Sequence, residues 1–161
     1  MKLPHILPLF ALALLALLSD CKCGDKGKDP NPRIGYLKSL AGNWKVNATN
    51  VTLDNKPQTG YENFTLAITG TDDQAVNGNF GFTTSGLSAG FTSPWDKQGT
   101  FSFVPDAAAS SKITRGDNVT IDYAVASNTT LTLKFNYQGN PYTAARTSEV
   151  KGQWVFVLTK Q

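Results

Sequence analysis

The side chains able to do chemistry are few and unevenly placed. Cys21 and Cys23 are the only cysteines and lie one residue apart, and the sole histidine, His5, precedes both. From Gly24 to Gln161 neither residue type occurs. That rules out a Ser-His-Asp or Cys-His catalytic arrangement in this stretch, and any metal shell built on histidine. A disulfide between Cys21 and Cys23 closes only a tiny strained ring and fixes almost none of the fold. What remains is hydrolysis by paired carboxylates. The candidates are Asp54, Glu62, Asp72, Asp73, Asp96, Asp106, Asp117, Asp122 and Glu149. Asp72, Asp73 and Asp117 fall in turn sequences, where Asp serves backbone hydrogen bonds. Asp122 and Glu62 fall on polar strand faces, and only Asp96 sits in a long loop beside an aromatic residue. One carboxylate is not a pair, and Asp72-Asp73 lacks the spaced oxygens of a calcium loop. The sequence therefore predicts no enzyme, no metal and no cofactor.

The cysteines mark a junction. Upstream, Lys2 precedes an apolar run from Ile6 to Leu18, too short for a mature membrane span of about 20 residues. A positive start, an apolar middle and a small-residue exit have the layout of an export signal. The segment Leu18-Ser19-Asp20-Cys21 resembles the lipobox of bacterial lipoproteins, with Asp20 standing where that pattern has Gly, Ala or Ser. The resemblance implies cleavage before Cys21, lipidation of its thiol and acylation of its new amino group. It divides the chain into a signal peptide (1–20), a lipidated cysteine with a flexible tether (21–33) and one domain (34–161). The implied location is the cell envelope, with the outer membrane as the anchoring surface. The tether carries Lys22, Lys26, Lys28 and Arg33 against Asp25 and Asp29, a net of +2, and its glycines and prolines oppose regular structure. From Ile34 onward ten Lys/Arg face nine Asp/Glu, a net of +1. The basic balance belongs largely to the tether, which argues against a nucleic-acid partner.

The elements that must position any site read as strands. Strict alternation recurs in "LAGNWKVNA", "YENFTLAITG", "AVNGNFGF", "GTFSFV", "SKITR", "VTIDYAV", "TLTLKFNYQG" and "QWVFVLTK". In the seventh, Leu131, Leu133, Phe135 and Tyr137 share the inner face. The eighth is apolar on both faces, as expected of a strand covered on both sides or paired centrally. Eight antiparallel strands predict an all-β fold, either an up-and-down barrel or a two-sheet sandwich. Leu40-Ala41-Gly42-Asn43-Trp44 resembles the Gly-x-Trp signature opening the first strand of lipocalins and of lipocalin-like lipoproteins common in Bacteroidota. That likeness implies a barrel with Trp44 buried at one end. Lipocalins also pack a late Arg on this Trp; here the last strand offers Lys160.

Two segments exceed a hairpin turn: residues 83–98 and 139–152. Long loops on a rigid β scaffold are where binding concentrates. Phe91 and Trp95 in the first, and Tyr142 and Arg146 in the second, are the candidate ligand contacts. Trp95 has an alternative role, as a plug closing one end of the fold. The expected function is binding of a small, largely apolar ligand in a barrel lined by Phe64, Phe80, Phe103, Tyr123, Phe135 and Phe156. The alternative is a non-catalytic envelope interaction protein whose solid core presents loops to a protein or glycan.

Overall fold

A computed structural model describes residues 31–105, 111–142 and 150–161, without the side chains of residues 48 and 49. Residues 1–30, with Cys21, Cys23 and most of the expected tether, lie outside the described residues, as do Asp106, Arg146 and Glu149.

Nine strands form one antiparallel sheet: β1 (Gly42–Leu53), β2 (Lys56–Pro57), β3 (Thr65–Thr69), β4 (Phe80–Ser85), β5 (Gln98–Phe103), β6 (Lys112–Arg115), β7 (Thr120–Ala126), β8 (Thr130–Tyr137) and β9 (Gly152–Lys160). Each strand from β3 to β9 pairs with the next, and β9 returns to pair with β1. The sheet therefore closes into an eight-stranded up-and-down barrel with β2 as an outlying hairpin strand on β1. Closure removes the exposed edges that an open sheet would present. This settles the expected choice between barrel and sandwich: there is one closed sheet, not two stacked ones.

The period of two in the sequence carries straight into burial. Leu131, Leu133, Phe135 and Tyr137 of β8 point inward, as do Trp154, Phe156 and Leu158 of β9. The doubly apolar β9 is hydrogen-bonded on both sides, to β8 and β1, and its outward Val155 and Val157 are half-buried. β1 bends to serve two neighbours. Its register against β9 shifts between Val46, opposite Leu158, and Val51, opposite Phe156, so a bulge re-aims the strand. The β1–β2 turn places Asp54 and Asn55 at φ 48° and 63°, and the β7–β8 turn places Ser127 and Asn128 at 51° and 57°. Two successive left-handed residues match the twist of tight hairpins.

Two helices depart from the expected all-strand order. α1 (Pro32–Leu40) begins inside the segment read as tether: the Asn31 side chain accepts from Arg33 N at 3.0 Å, and Pro32 occupies the first turn. Proline is well placed there, since its missing N–H has no helical partner to lose. The folded unit accordingly starts at Asn31. α2 (Asp72–Asn77) replaces the first part of the expected "AVNGNFGF" strand, which begins only at Phe80. Thr71 and Gln74 form a capping box, and Asp72 and Asp73 lie in the first helical turn, not in a hairpin turn. Their negative charge suits the positive end of the helix. α1 buries Leu37 and Leu40, and its Arg33 donates to Val76 O at 3.3 Å and Pro105 O at 2.9 Å.

Trp44 is fully buried, and its Nε1 donates to Leu40 O at 2.7 Å. Lys160, its cross-strand partner, holds Nζ 5.2 Å from the ring centroid. A cation thus does pack on this tryptophan, contributed by a lysine. Trp154 repeats the arrangement at the start of β9, donating to Val150 O at 2.7 Å. The two tryptophans brace opposite ends of the β1–β9 seam.

Candidate binding site at the barrel mouth

An even number of antiparallel strands sorts the connections between two ends. The β4–β5, β6–β7 and β8–β9 connections leave from one end, which is also where Tyr61 and Phe64 enter β3. Both loops singled out in the sequence therefore belong to the same mouth.

The β4–β5 loop is held in shape by short-range bonds. Thr84 N donates to Lys97 O at 2.8 Å, and Thr84 Oγ1 donates to Asp96 O at 2.8 Å. Ser88 N donates to Gly60 O at 3.0 Å, tying the loop to the β2–β3 connection. Glycine is required at two of these approaches. Gly60, at φ +88°, lies under the Phe91 ring, which a Cβ would meet at 2.4 Å. Gly86, at φ +74°, leaves only 1.8 Å between an added Cβ and Asn63 O.

Inside this loop, Ser93 Oγ accepts from Trp95 N at 2.9 Å and turns the chain inward. Trp95 then fills the barrel interior and is only 2% exposed. Its ring lies 5.3 Å from Phe135, 5.6 Å from Phe82, 5.8 Å from Phe156 and 6.3 Å from both Phe64 and Phe101, measured between centroids. Most of these contacts are edge-to-face, the favoured geometry for aromatic pairs. Trp95 is therefore a plug. The six residues expected to line a ligand-holding interior are all buried. Phe80 packs on Phe103 at 5.0 Å, and Phe156 packs on Phe64 at 5.5 Å and Phe135 at 6.0 Å. These rings fill the space they surround.

Beside the plug lies a cleft of about 410 Å³, lined by Phe64, Leu87, Ala89, Phe91, Trp95 and Lys97 with loop serines and glycines. Phe91, 40% exposed, forms part of its wall. Phe91 and Trp95 thus share one cleft, the first as an accessible face and the second as a buried one.

The second cluster was not anticipated. Arg115, the last residue of β6, points into the barrel and is only 3% exposed. Its Cζ lies 4.9 Å from the Trp95 ring centroid, 5.4 Å from Tyr137, 5.5 Å from Phe135 and 5.9 Å from Tyr142. The turn after β6 supplies its counter-charge. Asn118, at φ 66°, lets the chain reverse in three residues, so Asp117 faces back on Arg115. Arg115 Nε donates to Asp117 Oδ1 at 2.9 Å and Nη2 donates to Oδ2 at 2.8 Å, a bidentate pair. Tyr142 Oη donates to the same Oδ2 at 2.9 Å, and Tyr142 N donates to Ser93 O at 3.0 Å. Tyr142 is 39% exposed, so it bridges the plug loop, the ion pair and solvent.

The charges here are fixed. Burial alone raises the Asp117 carboxyl, but the hydrogen bonds and charge of Arg115, with bonds from Tyr142 and the Val119 N–H, outweigh it. The group is held below the usual carboxylate range. Burial, reinforced by donation to Asp117, pushes the Tyr142 hydroxyl well above its ordinary value. Burial does the same to Tyr61, whose hydroxyl donates to Thr92 O at 2.9 Å. None of these groups changes charge near neutrality. Among the described residues no cluster of three or more His, Cys, Asp or Glu is placed to hold a metal ion.

Two donors are left over. Arg115 Nη1 and Trp95 Nε1 are buried and have no hydrogen-bond partner among the described residues. Arg115 was legible in one respect: in "KITR" it shares the inward face with Ile113, and a charge on an apolar face is the signal of a buried polar group. Of the four expected contacts, the structure joins Phe91, Trp95 and Tyr142 around one mouth, while Arg146 lies outside the described residues. Comparisons of the chain with protein-family models, with curated proteins and with solved structures give no match.

Proposed function

We propose that the protein is a lipid-anchored envelope protein whose barrel binds a small, largely apolar ligand at its loop-bearing mouth, without catalysis. The observation that carries this reading is the cleft of about 410 Å³ between the β4–β5 loop and the Trp95 plug. Its size falls within the range of small-molecule sites, and its aromatic and aliphatic wall with a few hydroxyls is the lining such sites use. Because rings fill the interior, the ligand sits on Trp95 and does not descend past it. Anchoring rests on Cys21 and its lipobox-like context. Catalysis finds no support at the mouth, where Asp117 is engaged three ways and held ionised.

A second reading draws on that ring-filled interior. A solid barrel presenting exposed Phe91 and Tyr142 is also suited to docking an envelope protein or glycan through its loops. A titration of the full chain with the neutral apolar fluorophore N-phenyl-1-naphthylamine separates the two. Saturable binding that weakens several-fold in Leu87→Ala and Phe91→Ala supports the cleft. Absence of saturable binding, or equal affinity in both variants, removes the small-ligand reading and leaves the docking one.

A further inference from the structure

We infer that the barrel mouth carries a second binding site, for a neutral saccharide, in the fork between β7 and β8. It shares no lining residue with the apolar cleft, does not depend on it and goes beyond the small-ligand reading. Strand pairing creates the fork. Toward the mouth, the β7–β8 ladder stops at Asp122 opposite Lys134. Beyond that point β7 stays on β6 through Thr120, and β8 stays on β9 through Tyr137. The two strands part, and a cleft of about 680 Å³ opens with Val119 and Thr120 on one arm and Asn136 and Tyr137 on the other. That volume lies within the range of small-molecule sites.

The lining selects the ligand class. Asn118, Asn136 and Gln138 bring side-chain amides, Thr120 a hydroxyl, and Tyr137 and Tyr142 rings. Gln138 Nε2 donates to Asn136 Oδ1 at 2.7 Å, which leaves the Asn136 amide donors and the Gln138 oxygen uncommitted among the described residues. Donors and acceptors side by side match sugar hydroxyls, each of which both gives and takes a hydrogen bond. Tyr142 is the platform. Its ring is partly exposed, and it is held by its hydroxyl on Asp117 Oδ2 and by its N–H on Ser93 O. A ring fixed before binding costs little to order, and it offers an apolar face to the C–H side of a pyranose. Other chemistries match poorly. Among the described residues no lysine or arginine lines the cleft, so an anion finds no counter-charge. Asp117 is the one charged lining group among them, and its oxygens already accept from Arg115, Tyr142 and Val119 N, so a cation gains little. A wholly apolar ligand would strand the amides without partners.

Nuclear magnetic resonance titration of the full chain tests this, with cellobiose, lactose and maltose as neutral probes and digalacturonate as an anionic one. At least one neutral disaccharide is expected to bind saturably, with millimolar affinity, and to shift the side-chain amide resonances of Asn118, Asn136 and Gln138. Tyr142→Ala is expected to weaken that binding on the order of tenfold, as loss of a contact anchor does, while Tyr142→Phe keeps the ring and binds as wild type. Asn136→Ala, on an exposed strand position, is expected to weaken it as well. Phe91→Ala leaves saccharide binding unchanged while it weakens N-phenyl-1-naphthylamine binding. No shift with any of the three neutral probes overturns the site. Tightest binding by digalacturonate overturns its neutrality. Neutral binding that persists equally in folded Tyr142→Ala and Asn136→Ala overturns its location. In each of these cases N-phenyl-1-naphthylamine still reports separately on the apolar cleft.

Discussion

Replacing Trp95 by alanine separates a plug from a contact residue. The side chain is 2% exposed and touches five phenylalanine rings drawn from around the barrel wall. Deleting a buried large aromatic costs about 3–5 kcal/mol, with the upper end expected where neighbours cannot collapse into the hole. Here the neighbours are rings anchored on four strands and at the entry to β3, so little relaxation is available. The cation–π contact with Arg115 at 4.9 Å is lost as well, adding about 1–2 kcal/mol for a desolvated pair. The expected loss is therefore about 4–7 kcal/mol by these two contributions, a large share of the roughly 5–15 kcal/mol typical of a domain. Equilibrium unfolding in urea, read by far-ultraviolet circular dichroism, measures it without relying on the deleted fluorophore. Phe91→Ala, on the exposed wall of the cleft, is the control and stays within about 1 kcal/mol of wild type. A Trp95→Ala loss below about 1 kcal/mol would refute the plug and return Trp95 to the role of a surface contact.

Trp44→Ala is expected to cost about 3–5 kcal/mol in the same assay, since it removes a fully buried ring, its bond to Leu40 O and the seat of Lys160. Asp117 gives a pH signature. Its folded value lies below the unfolded one of about 3.9, so its contribution is fully present above that pH and is lost as pH falls through the lower folded value. Wild type should therefore lose its stability advantage over Asp117→Asn below about pH 4, as followed by urea midpoints across pH. Cys21→Ser should release the protein from the membrane fraction while Cys23→Ser leaves it there; unchanged partitioning of the Cys21 variant contradicts the anchor.

Strand positions were legible because a half-buried strand writes its burial into every second residue. "TLTLKFNY" becomes β8 with Leu131, Leu133, Phe135 and Tyr137 inward, as the alternation requires. The helices escaped for opposite reasons. α1 has no apolar stripe of its own and forms because Asn31 caps it, Pro32 starts it and Leu37 and Leu40 dock. α2 is six residues long, and its capping box competed with an alternating pattern that properly starts at Phe80. At the mouth, sequence could place Phe91, Trp95 and Tyr142 in loops of suspicious length. Local pattern could not show that Trp95 folds inward onto Arg115, because those residues are 20 apart in the chain and meet only when the barrel closes. The same holds for Asp117, whose turn sequence explains its backbone role but not its grip on a buried cation.

The most direct measurement of the central claim is native mass spectrometry of the full chain extracted from its own membranes in mild detergent. The account predicts a bound small molecule on wild type that is lost when the cleft wall is made charged by Leu87→Asp or Phe91→Asp, with both variants still folded. Wild type carrying only its lipid anchor, or a retained molecule that both variants hold equally well, would contradict it.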